Sequence, residues 1–231
     1  MALLTFGDTF DILRGIKGDD TVLDSKEIHG IDVSNWQRQI DWDKAKATQH
    51  FFYIKATEGE DYRSATFDRH TEGAISTGLP FGYYHFATPK PTDAEGEARD
   101  FLAALDKYRA NWNLPPVLDL EQNKHNMSHA EMEDWCQRFI RVLEEELQRP
   151  VMIYGSPGLL HSYLGNDHSL GKQPVWVAHY SVASPRTPAG WNKIDVWQYA
   201  DKGYPVDGVG RDVDVNKAKL RFFYEYLRAN G

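Results

Sequence analysis

Two acidic residues close the apolar stretch P-P-V-L-D-L-E at residues 115–121, and their types and spacing are suited to chemistry. If the stretch is a strand, Asp119 and Glu121 point to the same side, because side chains alternate along a strand. Neighbouring carboxyl groups take different protonation states, one neutral and one charged. A proton donor beside a carboxylate is the equipment that cleaves a glycosidic bond. The same D-x-E pattern also occurs as two solvated acids in a loop. The predicted elements around the pair must therefore show which of the two arrangements applies here.

Seven short apolar segments, followed by one acidic segment, predict the strands that would position such a pair. They lie at residues 29–33, 51–55, 80–87, 115–121, 151–155, 174–180, 194–200 and 212–216. Most are rich in β-branched and aromatic residues, as strands are. The carboxyl pair falls at the end of the fourth.

Helical patterns connect the first five predicted strands. Asp41 can cap a helix that reaches about residue 49, and Gly78 ends a predicted helix over residues 64–77. Two further helices are predicted from capping boxes, Thr92 with Glu95 and Ser128 with Glu131. The last three strands are joined only by short segments rich in Pro and Gly, before a closing helix that ends near residue 229.

The alternation of strands and helices predicts an α/β fold, an irregular (β/α) TIM-like barrel with a helix-poor last third. Residues 29–231 are expected to form one domain, preceded by an N-terminal extension of residues 1–28. In such barrels the reactive groups lie at the C-terminal ends of strands. Polar residues fall at or near these ends throughout: Asp32, Glu58, His85, Asp119, Glu121, Tyr154, Tyr180, Gln198 and Asp214. This shared position favours a built site over two solvated acids.

The composition argues against several classes of protein. The chain has 231 residues and a formal net charge of -8, which disfavours broad binding to nucleic acid. The single cysteine, Cys136, cannot form an internal disulfide and is expected to be a buried apolar residue. No apolar run approaches the roughly 20 residues of a membrane span, and residues 1–17 lack the pattern of a secretory signal. We therefore expect synthesis in the cytoplasm and no membrane insertion.

Short motifs along the chain resemble those of the glycoside hydrolase family 25 lysozymes. They are G-I-D-V-S at 30–34, Y-I-K-A-T-E-G at 53–59, G-Y-Y-H-F-A at 82–87, P-V-L-D-L-E at 116–121, I-Y-G at 153–155, W-V-A-H-Y at 176–180, W-Q-Y at 197–199 and D-V-N at 214–216. Each motif alone is weak, but eight in the same order are specific. The resemblance runs from about residue 29 to the C-terminus and leaves out residues 1–28. It implies an irregular α/β barrel that hydrolyses the β-1,4 bond between N-acetylmuramic acid and N-acetylglucosamine in bacterial peptidoglycan, with retention.

The resemblance implies four catalytic acids, which are Asp32, Asp119, Glu121 and Asp214. Glu121 is expected to be the general acid, with its pKa raised from about 4.3 to around 6 by an apolar wall or a nearby anion. Asp119 is expected to stay ionised and either to attack the anomeric carbon or to orient the sugar's acetamide; we favour the second route. Asp32 and Asp214 would tune Glu121 and bind the sugar. Asp212 is a rival for the position of Asp214, which we favour because it directly precedes V-N.

Five further residues are candidates for substrate binding along the groove wall: Tyr84, Tyr154, Trp176, Tyr180 and Gln198. For any single aromatic ring among them, core packing is about as good an explanation as sugar contact. His85 and His179 lack the spacing of a zinc site and are expected to be hydrogen-bonded structural residues. Lys55 is expected to pair with an acid. Neither a metal nor a cofactor is expected.

The expected partner is bacterial peptidoglycan, with the enzyme acting as a monomer. The absence of a signal fits a phage lysin that reaches the wall on release at lysis, or an enzyme exported by a non-classical route. Two other functions stay open. One is a non-catalytic glycan-binding barrel, which would not need an acid–base pair, and the other is a hydrolase of another N-acetylated glycan such as chitin.

Overall fold

Eight strands close into a barrel in the computed structural model, which describes residue 23 and residues 25–230. The described residues form these eight strands and one further short strand: β1 Glu27–Val33, β2 Phe51–Glu58, β3 Tyr62–Arg63, β4 Phe81–Phe86, β5 Val117–Asp119, β6 Met152–Gly155, β7 Val175–Ala178, β8 Val196–Ala200 and β9 Asp214–Lys219. Around the barrel they follow the order β1-β9-β8-β7-β6-β5-β4-β2, and β1 pairs with β2 to close the ring. The short β3 only forms a hairpin with the end of β2. The predicted barrel is confirmed, while most of the predicted N-terminal extension, residues 1–22 and 24, lies outside the described chain.

One strand runs against the others, which the alternation of strands and helices does not predict. β9 is antiparallel to both of its neighbours, β1 and β8, whereas the other neighbouring strands of the barrel are parallel. A parallel strand needs a long crossover connection, and the segment between β8 and β9 contains no described helix that could provide one. As a result, β9 starts at the edge of the barrel where the parallel strands end.

Helices cover the outside of the barrel over its first two thirds, and one more helix follows the last strand. In the described chain they are α1 Trp42–Ala45, α2 Phe67–Thr77, α3 Ala94–Asp106, α4 His129–Leu147, α5 Pro157–Leu164 and α6 Leu220–Asn230, with a 3-10 turn at Ser169–Lys172. The capping box at the start of α4 is confirmed, because the backbone N–H of Ser128 donates to Glu131 Oε2 at 2.8 Å and the reverse bond is also made. Gly78 ends α2 with a φ of 72°, a left-handed conformation that glycine adopts without strain.

Two helix predictions were wrong in detail, and one helix was not predicted. The cap of α3 is Asp93 rather than Thr92, and its carboxylate accepts from the indole of Trp135 at 2.8 Å instead of capping the helix itself. The helix after Asp41 stops at Ala45, since turns at residues 46–48 lead the chain directly into β2. No pattern predicted α5, although Ser156 and Pro157 begin it with a side-chain cap and a proline at the first turn.

The inside of the barrel is filled with aromatic rings below its open end. On β2, Tyr53 and Lys55 point inward, and the ring of Tyr53 lies 4.9 Å from that of Trp176, centroid to centroid. Trp176 in turn contacts Tyr154 at 4.8 Å. Burial of each such large apolar side chain contributes roughly 1.5–3 kcal/mol, so this packing both stabilises the barrel and forms a solid floor.

A second, larger core lies between the barrel and its helices. It includes the fully buried Phe101, Trp135 and Phe139 from α3 and α4, and the predicted burial of Cys136 beside Trp135 is confirmed. As predicted, the connections between β7, β8 and β9 contain no described helix. No helix in the described chain has the length and apolar character to cross a bilayer.

Candidate active site

The nine predicted site residues lie together in one pocket at the open end of the barrel. The pocket has a volume of about 230 Å³ and is lined by Asp32, Tyr84, Asp119, Glu121, Tyr154, Trp176, Tyr180, Gln198 and Asp214. Four more residues complete the lining, namely Ser34, Trp36, Lys55 and Phe86. Residues from all eight strands of the barrel, or from the loops that follow them, therefore converge on one small space.

Asp119 and Glu121 form the first of two carboxyl pairs in the pocket. Strand β5 is shorter than the predicted strand and ends at Asp119, but the backbone stays aligned because Leu120 N donates to Tyr154 O at 2.9 Å. The two side chains consequently keep the same side and interact directly with each other. Asp119 is 5% exposed, whereas Glu121 lies at the solvent-exposed mouth.

Burial raises the pKa of both carboxyl groups in this pair. For Asp119, removal from water is the largest cause, the negative charge of Glu121 adds to it, and the positive charge of Lys55 opposes it. For Glu121, partial removal from water raises the pKa against the influence of Asp119 and Lys55. Asp119 Oδ1 is buried and has no hydrogen-bond donor among the described residues, so the pair can hold one shared proton.

Asp32 and Asp214 form the second carboxyl pair. They lie opposite each other across β1 and β9, and their carboxyl groups interact side chain to side chain. Asp32 Oδ2 accepts from Asn216 Nδ2 at 2.7 Å and from Gln198 Nε2 at 2.9 Å. These two amides favour a charged Asp32.

The two members of the second pair have well-separated proton affinities. Burial raises the pKa of Asp32 to about 6, held down by the hydrogen bonds from Asn216 and Gln198. Burial and the charge of Asp32 raise the pKa of Asp214 to about 9. Near neutral pH, Asp214 is therefore protonated and donates to Asp32, which carries the charge. The rival Asp212 is exposed and does not line the pocket; its backbone carbonyl accepts from Gln37 Nε2 at 2.7 Å.

Gln198 links the aromatic wall to the second carboxyl pair. Its amide oxygen accepts from the hydroxyls of Tyr154, at 2.7 Å, and Tyr180, while its nitrogen donates to Asp32. Trp176 is only 2% exposed and donates its indole N–H to Asn216 at 2.8 Å. Tyr154 and Trp176 thus lie in the floor, and Tyr180 stands at the rim with 37% of its surface exposed.

The two histidines and the lysine that were predicted to have structural roles each form a hydrogen bond or an ion pair within the protein. His85 is fully buried, with Nε2 at 2.7 Å from Glu97 Oε2 and Nδ1 at 2.8 Å from Thr57 Oγ1. His179 Nδ1 accepts from the backbone N–H of Arg186 at 3.0 Å. Lys55 pairs with an acid as expected, with its Nζ 2.6 Å from Glu58 Oε2. In the part of the chain that the structure describes, no cluster of His, Cys, Asp or Glu is arranged to hold a metal ion.

Sequence reasoning missed two residues with clear positions at the site. Trp36 lines the pocket with 84% of its surface exposed, and Asn216 holds both Asp32 and Trp176. Trp36 follows the G-I-D-V-S motif by two residues, and Asn216 is the last residue of D-V-N. Their proximity to a recognised acid was the available signal.

Paired carboxyl groups in the open pocket of a barrel suit a glycoside hydrolase, and comparison with known proteins places the chain in that class. The model of glycosyl hydrolases family 25 matches residues 31–209. Lysozyme M1 of Streptomyces globisporus is 36% identical over 202 residues, covering 84% of this chain and 68% of its own. An N,O-diacetylmuramidase of Chalaropsis sp is 32% identical over 190 residues, covering 75% of this chain and 88% of its own. The crystal structure of the bacterial lysozyme from Streptomyces coelicolor superposes with a TM-score of 0.77 at 32% identity, over 89% of this chain and 99% of that one.

The chain belongs to glycosyl hydrolases family 25 and is a glycoside hydrolase of the lysozyme kind. The family resemblance read from the eight short motifs is confirmed, and so is the enzyme class.

Proposed function

We propose that the enzyme is an N-acetylmuramidase that cleaves the β-1,4 bond between N-acetylmuramic acid and N-acetylglucosamine in bacterial peptidoglycan, with retention. The observation that carries this proposal is the Asp119–Glu121 pair, whose two carboxyl groups interact directly with each other in an open pocket. The similarity to Lysozyme M1 and to an N,O-diacetylmuramidase supports the substrate.

In the proposed first step, Glu121 donates its proton to the glycosidic oxygen while the bond to the anomeric carbon breaks. Its position at the mouth suits this role, because a sugar bound there would displace water and raise its pKa further. After the leaving sugar departs, the Glu121 carboxylate takes a proton from the incoming water.

Asp119 assists the attack on the anomeric carbon. Either its carboxylate attacks the anomeric carbon, or it orients the 2-acetamido group so that the carbonyl oxygen attacks, and we favour the second route. An inverting enzyme needs room for a water between its carboxyl groups, about 6.5–9.5 Å apart. The direct interaction of Asp119 with Glu121 supports the retaining arrangement instead.

Asp32 and Asp214 serve the same reaction from the opposite wall. The charged Asp32 stabilises the positive charge that develops on the sugar ring, and the neutral Asp214 holds Asp32 in place. Gln198, Tyr154 and Tyr180 fix the orientation of this pair through their shared hydrogen bonds and present polar edges to the substrate.

The test is the clearing of a peptidoglycan suspension by the wild-type enzyme and by Glu121→Gln. We expect a loss of about 10²- to 10⁴-fold in rate for the variant, the usual contribution of a general acid. Glu145→Gln, an exposed Glu on α4, is the matched control and should clear like the wild type. Equal clearing by Glu121→Gln and the wild type, or no clearing by either, would refute the proposal.

Analysis of the released fragments tests the substrate. New reducing ends on N-acetylmuramic acid, with retained anomeric configuration, are expected. Faster release of sugar from chitin than from peptidoglycan would instead favour another N-acetylated glycan. We further propose that the enzyme acts as a monomer on the wall outside the cytoplasm, where this substrate lies, after release at lysis or by export.

A further inference from the structure

Lys55 is the one cation among the described residues that line the pocket. It comes from β2, in register with Tyr84 of β4, and only 12% of its side chain is exposed. The reaction proposed for the two carboxyl pairs does not use Lys55. A buried lysine facing carboxyl groups offsets their negative charge, so its placement bears on how they hold protons.

Glu58 holds Lys55 in place through an irregularity in β2. Residues three apart on a regular strand point to opposite sides, yet Lys55 Nζ lies 2.6 Å from Glu58 Oε2. The pairing of β2 with β4 shifts register between Lys55 and Thr57, and such a bulge re-aims the side chains that follow it. The Lys55 ammonium also lies 4.6 Å from the centre of the Phe86 ring, which borders the pocket.

We propose that the Lys55–Glu58 ion pair is a positioning element that sets the proton affinity of the Asp119–Glu121 pair. Lys55 favours loss of a proton from the two carboxyl groups, and Glu58 limits that effect by neutralising part of its charge. The expected effect of the ion pair on activity rests on the proposed function, whereas its effect on the proton affinity of the two carboxyl groups does not.

The charges around the pair support this assignment. Lys55 lowers the pKa of both Asp119 and Glu121, against the effect of burial. The other ionisable groups that line the pocket from neighbouring elements are Asp32 and Asp214, which form their own pair, and the hydroxyls of Tyr84, Tyr154 and Tyr180. Asp32 raises the pKa of Asp119, and burial keeps the three tyrosines neutral by raising theirs. Without Lys55, both carboxyl groups would keep their protons to higher pH, and the anion that the reaction needs would form only at higher pH.

Removing one member of the ion pair or the other should shift the pH optimum in opposite directions. The pH dependence of peptidoglycan clearing is measured for wild type, Lys55→Met, Glu58→Gln and the double variant. We expect the optimum of Lys55→Met to move up by about one pH unit, and that of Glu58→Gln to move down by about half a unit. The double variant should return close to the wild-type optimum. Glu60→Gln, which breaks the ion pair of Glu60 with Lys90 outside the pocket, is the matched control and should leave the optimum unchanged.

Shifts in the same direction for both single variants, or unmoved optima in folded variants, would overturn the proposal. If Lys55→Met does not fold, Glu58→Gln decides alone, because the Glu58 side chain is 40% exposed and its loss is tolerated more easily. Carboxyl-carbon NMR titration of Asp119 and Glu121 in the wild type and Glu58→Gln measures the same shift without turnover. If the wild type does not clear peptidoglycan but the carboxyl pKa values still differ between the wild type and Glu58→Gln, the proposed function is refuted and this inference stands.

Discussion

Asp32 lies directly opposite Asp214 across the antiparallel pair of β1 and β9. Because β9 runs against its neighbours, the first residue of one strand meets the end of the other, 182 positions away in sequence. Two carboxyl groups in direct contact and largely removed from water favour holding one proton between them, and the amides of Asn216 and Gln198 decide that Asp32 is the charged member.

Asp32→Asn and Asp214→Asn should differ strongly in activity. An asparagine at 214 donates a hydrogen bond to Asp32 as the protonated aspartic acid does, so we expect less than about a tenfold loss in kcat/KM. An asparagine at 32 removes the charge that faces the substrate and should cost about 100-fold or more. Initial rates of peptidoglycan clearing measure both. Equal losses would mean that the charge does not reside on Asp32.

Stability should fall as the pH rises through the range in which the second pair titrates. A carboxyl group whose pKa is higher in the folded protein than its unfolded value of about 3.9 binds protons preferentially when folded. Its stabilising contribution is complete below that unfolded value and is lost as the pH rises through the folded pKa, about 6 for Asp32 and about 9 for Asp214.

Asp214→Asn should therefore flatten the upper part of this decline, between about pH 6 and about pH 9. Urea unfolding of the wild type and the variant across this range provides the comparison, and groups common to both proteins cancel in the difference. A difference in unfolding free energy that does not change with pH would contradict the raised pKa of Asp214.

Trp36→Ala should weaken substrate binding without destabilising the fold. The indole lines the pocket with 84% of its surface exposed, so its removal leaves no cavity. Loss of a stacking ring of about 1.5 kcal/mol corresponds to about a tenfold rise in KM, with kcat nearly unchanged. Trp36→Phe, which keeps a flat ring, should recover most of the binding. An unchanged KM in Trp36→Ala would exclude the ring from substrate contact.

Removal of Glu97 should lower the stability of the folded protein. This fully buried carboxylate accepts from Thr88 N at 3.1 Å and from Thr88 Oγ1 at 2.9 Å, and it faces His85 Nε2 at 2.7 Å. Glu97→Ala leaves these groups without a partner in the core, and we expect about 3–5 kcal/mol lower unfolding free energy. Glu97→Gln, which keeps an acceptor, should lose less. Chemical denaturation measures both, and a loss below about 1 kcal/mol in the alanine variant would contradict the structural role.

Sequence patterns predicted the structure correctly where interactions between residues close in sequence decide it, and failed where a contact with a distant element decides it. The common side of Asp119 and Glu121 follows from alternation, although β5 ends at Asp119 and a hydrogen bond from Leu120 keeps Glu121 aligned. The capping box at Ser128 was predictable because it involves residues three apart. The Thr92 box failed because the carboxylate of Asp93 bonds to Trp135, on a different helix.

The sequence by itself identified the nine residues that the fold brings together in one pocket. Short apolar strands that end in acids are encoded by local patterns, and the eight ordered motifs identify the family. Only the tertiary structure decided how those acids are paired and which of them carries the charge. The reversed β9, the bulge that brings Glu58 to Lys55 and the amides that hold Asp32 all depend on contacts between residues on neighbouring strands or across a strand irregularity. Proton affinity depends on burial and on charges within a few ångströms, and neither is set until the barrel closes.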